Sequence, residues 1–369
     1  MNVDFARSAR RAAVVLSVSL FGAVVWAATA PAAPDAPASN DDRIARVLAG
    51  MTPRAESDTP EMRQYGTRVN AAWTRYTTRI GAPMSKWAQS ELKQPKGGTV
   101  FYPFSGPDLP TVYQFYPNAD RYVLVAIQPA TRPIDLNGLS TARRKEAVGI
   151  LQTSWSKFGT LGFFRTDDLD ENVHQEKIAV GPATVLAAFA ARMGYTVDSI
   201  EPIHISAQTN EVEVLPHDTP RWSSVRLSLS RAQRHIVVDY VRLDLSDSGL
   251  HASPEGERFI EAVSHSPTLL KAASHLPQDP KFLIIRQAML QNAPTILQDE
   301  TGLDYALLVQ KFDVKLYGDY TRANKLFKKL NNPSLAQAYR DAKNVKPMPF
   351  KVGYEKDSGS AVQVATRIH

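Results

Sequence analysis

The run "YVLVAI", Tyr122 to Ile127, is apolar without a break. A strand with one wet face would alternate. This one reads as a strand buried on both sides, which requires packed elements above and below its sheet. The flanking segments supply them. Thr59 caps a helix and Pro60 suits its first turn. Met62, Tyr65, Val69, Trp73, Tyr76 and Ile80 then recur every three or four residues, the spacing of one helix face. Gly81 and Pro83 read as its break, with Met84, Trp87 and Ala88 on a second short helix. Such an aromatic stripe is more often core packing than a ligand groove. Ser140 caps a helix carrying Val148, Leu151, Trp155 and Phe158, and another spans Pro182 to Met193 with Gly194 as its stop.

Further on the period changes. "EVEVLP", "SSVRLSLS" and "HIVVDYVRLDLS" repeat every second residue, as strands do. Helices follow over Pro254 to Val263 and Asp279 to Gln291. The short strands "DVKLYGD", "FKVGYE" and "AVQVAT" then accompany a helix near Ser334 to Ala342. Helices and strands alternate early and cluster later. The expected fold is α/β or α+β, a mixed sheet with packed helices, preceded by a helical N-terminal segment. The expected divisions are a signal peptide over 1–27, an Ala/Pro-rich linker with room for a short helix over 28–58, a helical segment over 59–95, and a main α/β domain over 96–369.

The N-terminus carries an address. Arg7, Arg10 and Arg11 precede the uncharged run Ala12 to Ala27, and Val25-Trp26-Ala27 before Ala28 fits a small-x-small cleavage site, the layout of a secretory signal peptide. The run is too short for a spanning helix, so no transmembrane helix is expected after cleavage. The chain has no cysteine. That removes disulfides, thiolate catalysis and cysteine-ligated zinc, and leaves stability to the core. The expected location is the periplasm or the medium of a bacterium. The formal charge is +6, of which Arg7, Arg10, Arg11 and Asp4 account for +2. The remainder permits contact with an anionic envelope component and argues against nucleic acid, which needs a concentrated basic face.

The catalytic motifs fail in detail. Ser105, in "YPFSGPD", resembles the turn that exposes a nucleophilic serine, but Pro103 and Pro107 stand where Gly-x-Ser-x-Gly needs glycine. The plainer reading is a Gly106-Pro107 corner with Asp108 capping a helix that starts near Leu109; the start of that helix would suit a small anion. Asp247-Ser248-Gly249 matches half of an aspartic-protease pair, which must share a proton between two carboxylates. The second copy, beginning at Asp299, is interrupted by Glu300, and Asp357-Ser358-Gly359 matches by chance. The acidic run Asp167 to His174 lacks the glycine and glutamate of a calcium loop. The histidines are scattered without metal-ligand spacing, and no nucleotide loop occurs. No cofactor and no metal is therefore expected. Ser105, Asp108, Asp247 and Asp299 remain the catalytic candidates. Tyr317, Tyr320, Arg322 and Lys325, in "KLYGDYTRANKLF", are the binding candidates, as an aromatic and basic surface for an anionic ligand.

Three stretches, "YPFSGPD…YPNADRYVLVAIQP", "DYVRLDLSDSGL" and "LLKAASHLPQDPKFLIIRQAMLQNAPTILQDETGL…KLYGDYTRANKLF", resemble a family of exported bacterial proteins with a YPFSGPD-type motif. The resemblance implies one unit from Phe101 to the C-terminus and brings no activity with it. The expected function is binding of a ligand or partner at the envelope without catalysis. The alternative is a hydrolase of envelope or extracellular polymers that works through carboxylates.

Overall fold

The computed structural model describes residues 39–51, 59–162, 180–323, 332–353 and 360–368. The proposed signal peptide, the acidic run Asp167 to His174, Lys325 and Asp357-Ser358-Gly359 lie outside them. The described chain builds an α/β fold on one mixed sheet. Its strands are β1 (Thr99–Pro103), β2 (Arg121–Ala126), β3 (Thr196–Ile205), β4 (Val212–Val214), β5 (Ser224–Arg231), β6 (Arg234–Arg242), β7 (Thr268–Leu270), β8 (Thr295–Gln298), β9 (Phe312–Gly318) and β10 (Ala361–Arg367), in the order β4-β3-β5-β6-β2-β1-β7-β8-β10-β9. The central strands β6, β2, β1, β7 and β8 run parallel. Antiparallel strands extend the sheet on both sides.

"YVLVAI" behaves as its composition dictates, with one exception. Tyr122 and Leu124 face one core and Val123 and Val125 the other, so β2 is covered on both sides. Ile127 is 57% exposed. It lies past the strand end, where the chain leaves the sheet.

The first core lies under α1 (Asn40–Leu48), α2 (Pro60–Tyr76), α3 (Ala82–Glu91), α4 (Leu109–Phe115), α5 (Thr141–Leu161) and α6 (Pro182–Arg192). The whole stripe from Met62 to Ile80 is buried there. Thr59 accepts from the Met62 amide at 3.2 Å, as a capping residue does. Gly81 and Pro83 do not break the helix. A π-helical turn, Thr77–Gly81, carries it straight into α3, with Pro83 in the first turn, where its missing N–H is not needed.

Helix α1 belongs to the same core. Its Asp42 and Asp41 accept from the amides of Val197 at 3.1 Å and Ile200 at 2.8 Å. Those amides flank a register shift between Val197 and Ser199 in β3. The two acids thus satisfy donors around an irregular stretch of ladder.

The second core lies under α7 (Asp247–His251), α8 (Pro254–Val263), α9 (Leu283–Asn292) and α10 (Tyr305–Leu308). The segment from Asp279 is not one helix. It begins with a short 3-10 turn, Pro280–Phe282, before α9. A smaller cluster beneath α11 (Pro333–Asp341) packs Leu335 and Ala336 against Leu316, Tyr320 and Ala361. No described residues near Phe350 form a strand. Among the described residues no helix is long and apolar enough to cross a membrane.

Candidate functional site

The strand order reverses at β1. The chain passes from β1 through α4 to β2 on one side, and β7 later enters on the other. In open α/β sheets such a switch point leaves a crevice at the carboxyl ends of the strands, because the two connections leave in opposite directions. Here β1 and β7 are paired only at Phe101 and Thr268, so no ladder joins their carboxyl ends.

A cavity of about 340 Å³ opens there. Phe104 and Gly106 line it after β1, Ile127 and Gln128 after β2, Asp244 and Leu245 after β6, and Ala272 to Ser274 after β7, with Phe282 closing one side. Phe104 and Phe282 meet edge to face, centroids 5.7 Å apart. Ile127 and Leu276 stand exposed at the mouth.

The backbone around this crevice is unusual. Among the described residues seven other than glycine have positive φ, and four of them are Phe104, Ala272, Ser274 and His275. Each such residue costs of order 1–3 kcal/mol and persists only where its surroundings over-determine it. The end of β8 does that here. Asp299 accepts from the Ala272 amide at 2.7 Å, and from the Thr301 amide at 2.9 Å and hydroxyl at 2.6 Å. Thr301 in turn accepts from the Ala273 amide at 2.8 Å. Burial pushes the Asp299 carboxyl above its ordinary range, against the pull of these donors and of Lys271. Burial pulls the nearby His275 imidazole down, opposed by Gln278 and by the Asp299 charge.

Behind the wall sits an ion pair. Lys271, the first residue after β7, places Nζ 2.7 Å from Asp108 Oδ2, 3.0 Å from Thr111 Oγ1 and 3.3 Å from the Gly162 carbonyl. The Tyr102 hydroxyl donates to the same Asp108 oxygen at 3.0 Å. Asp108 Oδ1 is buried with no hydrogen-bond donor among the described residues. Lys271 and Asp108 are each 4% exposed, so the pair bridges the unpaired ends of β1 and β7 out of contact with solvent. The cavity is lined by Ala272 to Ser274 and by neither of these charges.

Of the four carboxylate and hydroxyl candidates, Asp108 therefore pairs with Lys271, and Asp299 holds the amide of the next residue, Ala272. The other two do not join them. Ser105 bonds back to the Val125 carbonyl, its amide at 3.1 Å and its hydroxyl at 3.5 Å. Asp247 accepts from the Ile284 amide at 2.9 Å and so ties α7 to α9. Asp108 stands at the capping position of α4 but makes no capping bond; its carboxylate turns inward to Lys271, the stronger partner. The expected binding surface is also corrected. Tyr317 is fully buried, edge-on to Trp87 at 4.9 Å and donating to Glu91 at 2.7 Å. Tyr320 lies under α11. Of that set only Arg322 is exposed among the described residues.

Lys271, Tyr102, Thr111 and the left-handed run after β7 carry no sequence motif. The available signal is a lysine directly after a short apolar strand, in "TLLK", a costly place for a charge without a partner. No three or more histidine, aspartate or glutamate side chains among the described residues converge as metal ligands would. Comparison with protein-family models, with curated proteins and with solved structures finds no match for the chain.

Proposed function

We propose that the protein is exported to the cell envelope and there binds a small, largely apolar ligand in the switch-point cavity, without catalysis. The observation that carries this reading is the cavity itself, at the carboxyl ends of the parallel strands, with two phenylalanines in its wall and exposed Ile127 and Leu276 at its mouth. Its size is at the lower end of the range for small-molecule sites, about 300–1,000 Å³. Gln128, Asp244 and Ser274 supply the few polar groups that would orient a ligand. Binding is favoured over hydrolysis because the near oxygen of Asp108 is committed to Lys271 and Tyr102, and the Ser105 hydroxyl faces a carbonyl rather than a base.

The test is titration with the apolar fluorophore Nile red. Ile127→Asp and Leu276→Asp change exposed residues at the mouth, so each variant should melt as the parent does. Each should weaken the probe by about tenfold, the loss of one apolar contact. Unchanged binding in both variants defeats the reading. Export is tested by N-terminal sequencing of protein recovered from the periplasm, with Ala28 expected first; an intact Met1 on cytoplasmic protein would defeat it.

The hydrolase reading has one observation in its favour, the pairing of Asp108 with Lys271 behind the cavity wall. It expects soluble fragments from purified peptidoglycan, lost in Asp108→Asn.

A further inference from the structure

The switch-point cavity has a polar corner. Gln128 and Asp244 line it, and each stands two residues past the last pair of β2 with β6, Ala126 and Arg242. The ends of two neighbouring strands thus deliver both side chains to one place.

Gln128 is 9% exposed. Its backbone carbonyl accepts from the Tyr240 hydroxyl at 3.0 Å, but among the described residues its carboxamide makes no hydrogen bond. An amide buried to this degree needs partners for its donor and its acceptor. The space beside it is the cavity.

Asp244 brings the charge. Among the described residues it is the one charged side chain in the lining. Its Oδ1 accepts from the Ser246 amide at 2.9 Å, and Gly249 lies against it: a Cβ there would stand 2.5 Å from Asp244 Cγ. The carboxylate is therefore held in place, and among the described residues no cation pairs with it. Arg242, from the same strand, donates its Nε to the Ile127 carbonyl at 3.0 Å instead.

These two groups sort ligands by their polar end. An apolar body entering the cavity strips water from the Asp244 carboxylate. A cation compensates that loss, a neutral group does so only in part, and an anion is repelled. A metal ion needs six or so oxygen ligands, more than this corner offers. A protonated amine suits both side chains. Neighbouring strands lie about 4.8 Å apart, so one ammonium group with three donors reaches the carboxylate and the carboxamide oxygen together. The rings of Phe104 and Phe282 also attract an organic cation.

We propose that the ligand of the switch-point cavity is an apolar amine, held as its ammonium form by Asp244 and Gln128. This inference rests on the reading of the cavity as a binding site.

The experiment is displacement of Nile red from the full chain by phenylbutylamine, phenylbutanol and phenylbutyrate at neutral pH, where the amine is a cation and the acid an anion. The amine should displace the probe at about one tenth of the alcohol's concentration, the worth of one charge-assisted contact, and the acid should be weakest. Asp244→Asn keeps an acceptor for the Ser246 amide and should melt as the parent does. It should abolish the amine's advantage and leave the alcohol unchanged. Gln128→Met fills similar space without the amide and should weaken the amine about fivefold, the loss of one hydrogen bond. The inference is overturned if amine and alcohol compete equally in the parent, if Asp244→Asn weakens both alike or neither, or if Gln128→Met leaves the amine unchanged. In those cases the probe is still displaced and the cavity remains a binding site. If Nile red does not bind the parent, or none of the three compounds displaces it, the cavity reading falls and this inference falls with it.

Discussion

Lys271 holds the carboxyl ends of β1 and β7 together by charge where backbone pairing stops. Removing one member of a buried pair strands the other, which costs about 3–5 kcal/mol. Lys271→Met should lose that much in chemical denaturation. Asp108→Asn together with Lys271→Met should regain most of it, because asparagine still accepts from Tyr102 and no charge is left alone. His275 gives a pH test. Its folded-state imidazole titrates below its ordinary value of 6.5, because burial disfavours the cation. As pH falls below 6.5 the unfolded chain takes up the proton first, so stability declines on acidification. Asparagine tolerates the left-handed backbone that His275 adopts at φ 60°. His275→Asn should therefore fold and lose its share of that decline, seen as a wild-type-minus-variant difference in unfolding free energy that changes only below 6.5. Two members of the buried cluster, Asp108 and Asp299, stand out in the sequence as carboxylates in turns. Lys271 does not, because its partner Asp108 is 163 positions away and no local pattern records so distant a pairing.

Helix α5 contains two glycines of opposite meaning. Gly149 faces open space, so Gly149→Ala should stabilise by about 0.5–1 kcal/mol through lowered backbone entropy in the unfolded chain. Gly159 lies against the Ala72 backbone, so Gly159→Ala must push α2 and α5 apart and should cost about 1–3 kcal/mol, although alanine is the better helix former. Thermal melts of the two variants should shift in opposite directions. Helix α3 is tied to the sheet edge by Glu91, which accepts from Lys346 at 2.8 Å and Tyr317 at 2.7 Å. Those donors hold its carboxyl below the ordinary value of 4.5. Its contribution is present above 4.5 and disappears as pH falls through the lowered value. Acid titration of Glu91→Gln should show a deficit of about 1 kcal/mol or less above that pH, closing towards acid, as suits a partly exposed pair. The apolar stripes of α2 and α5 and the period of β5 and β6 are legible in the sequence because burial repeats with the geometry of each element. The passage through Gly81 and Pro83 is not. The proline falls at the one place in the helical run where a widened π turn already releases a backbone donor.

At the scale of the molecule, local pattern says least. Each strand's period marks it as a strand, but nothing in that period says that β7 must lie beside β1. The far edge is the clearest case. β10 lies between β8 and β9, with four register pairs to the first and seven to the second. Among the described residues, the other backbone partner of β9 is Lys346, which bonds to Leu316 and Gly318. Deleting residues 361–369 should leave β8 and β9 without a shared partner and abolish the native near-ultraviolet circular dichroism signal. A synthetic peptide of residues 360–368 should restore that signal, since it carries the whole of the missing ladder.

The position of β10 also sets an order of assembly. During synthesis β9 emerges before the strand that will hold it, and the rim of β8 stays open for that interval. An open rim accepts any strand with the matching pattern, including β10 of a neighbouring molecule. Crowded chains thus have a route to exchange their last strands, and refolding from denaturant should yield interlocked pairs in proportion to protein concentration while dilute chains close on themselves.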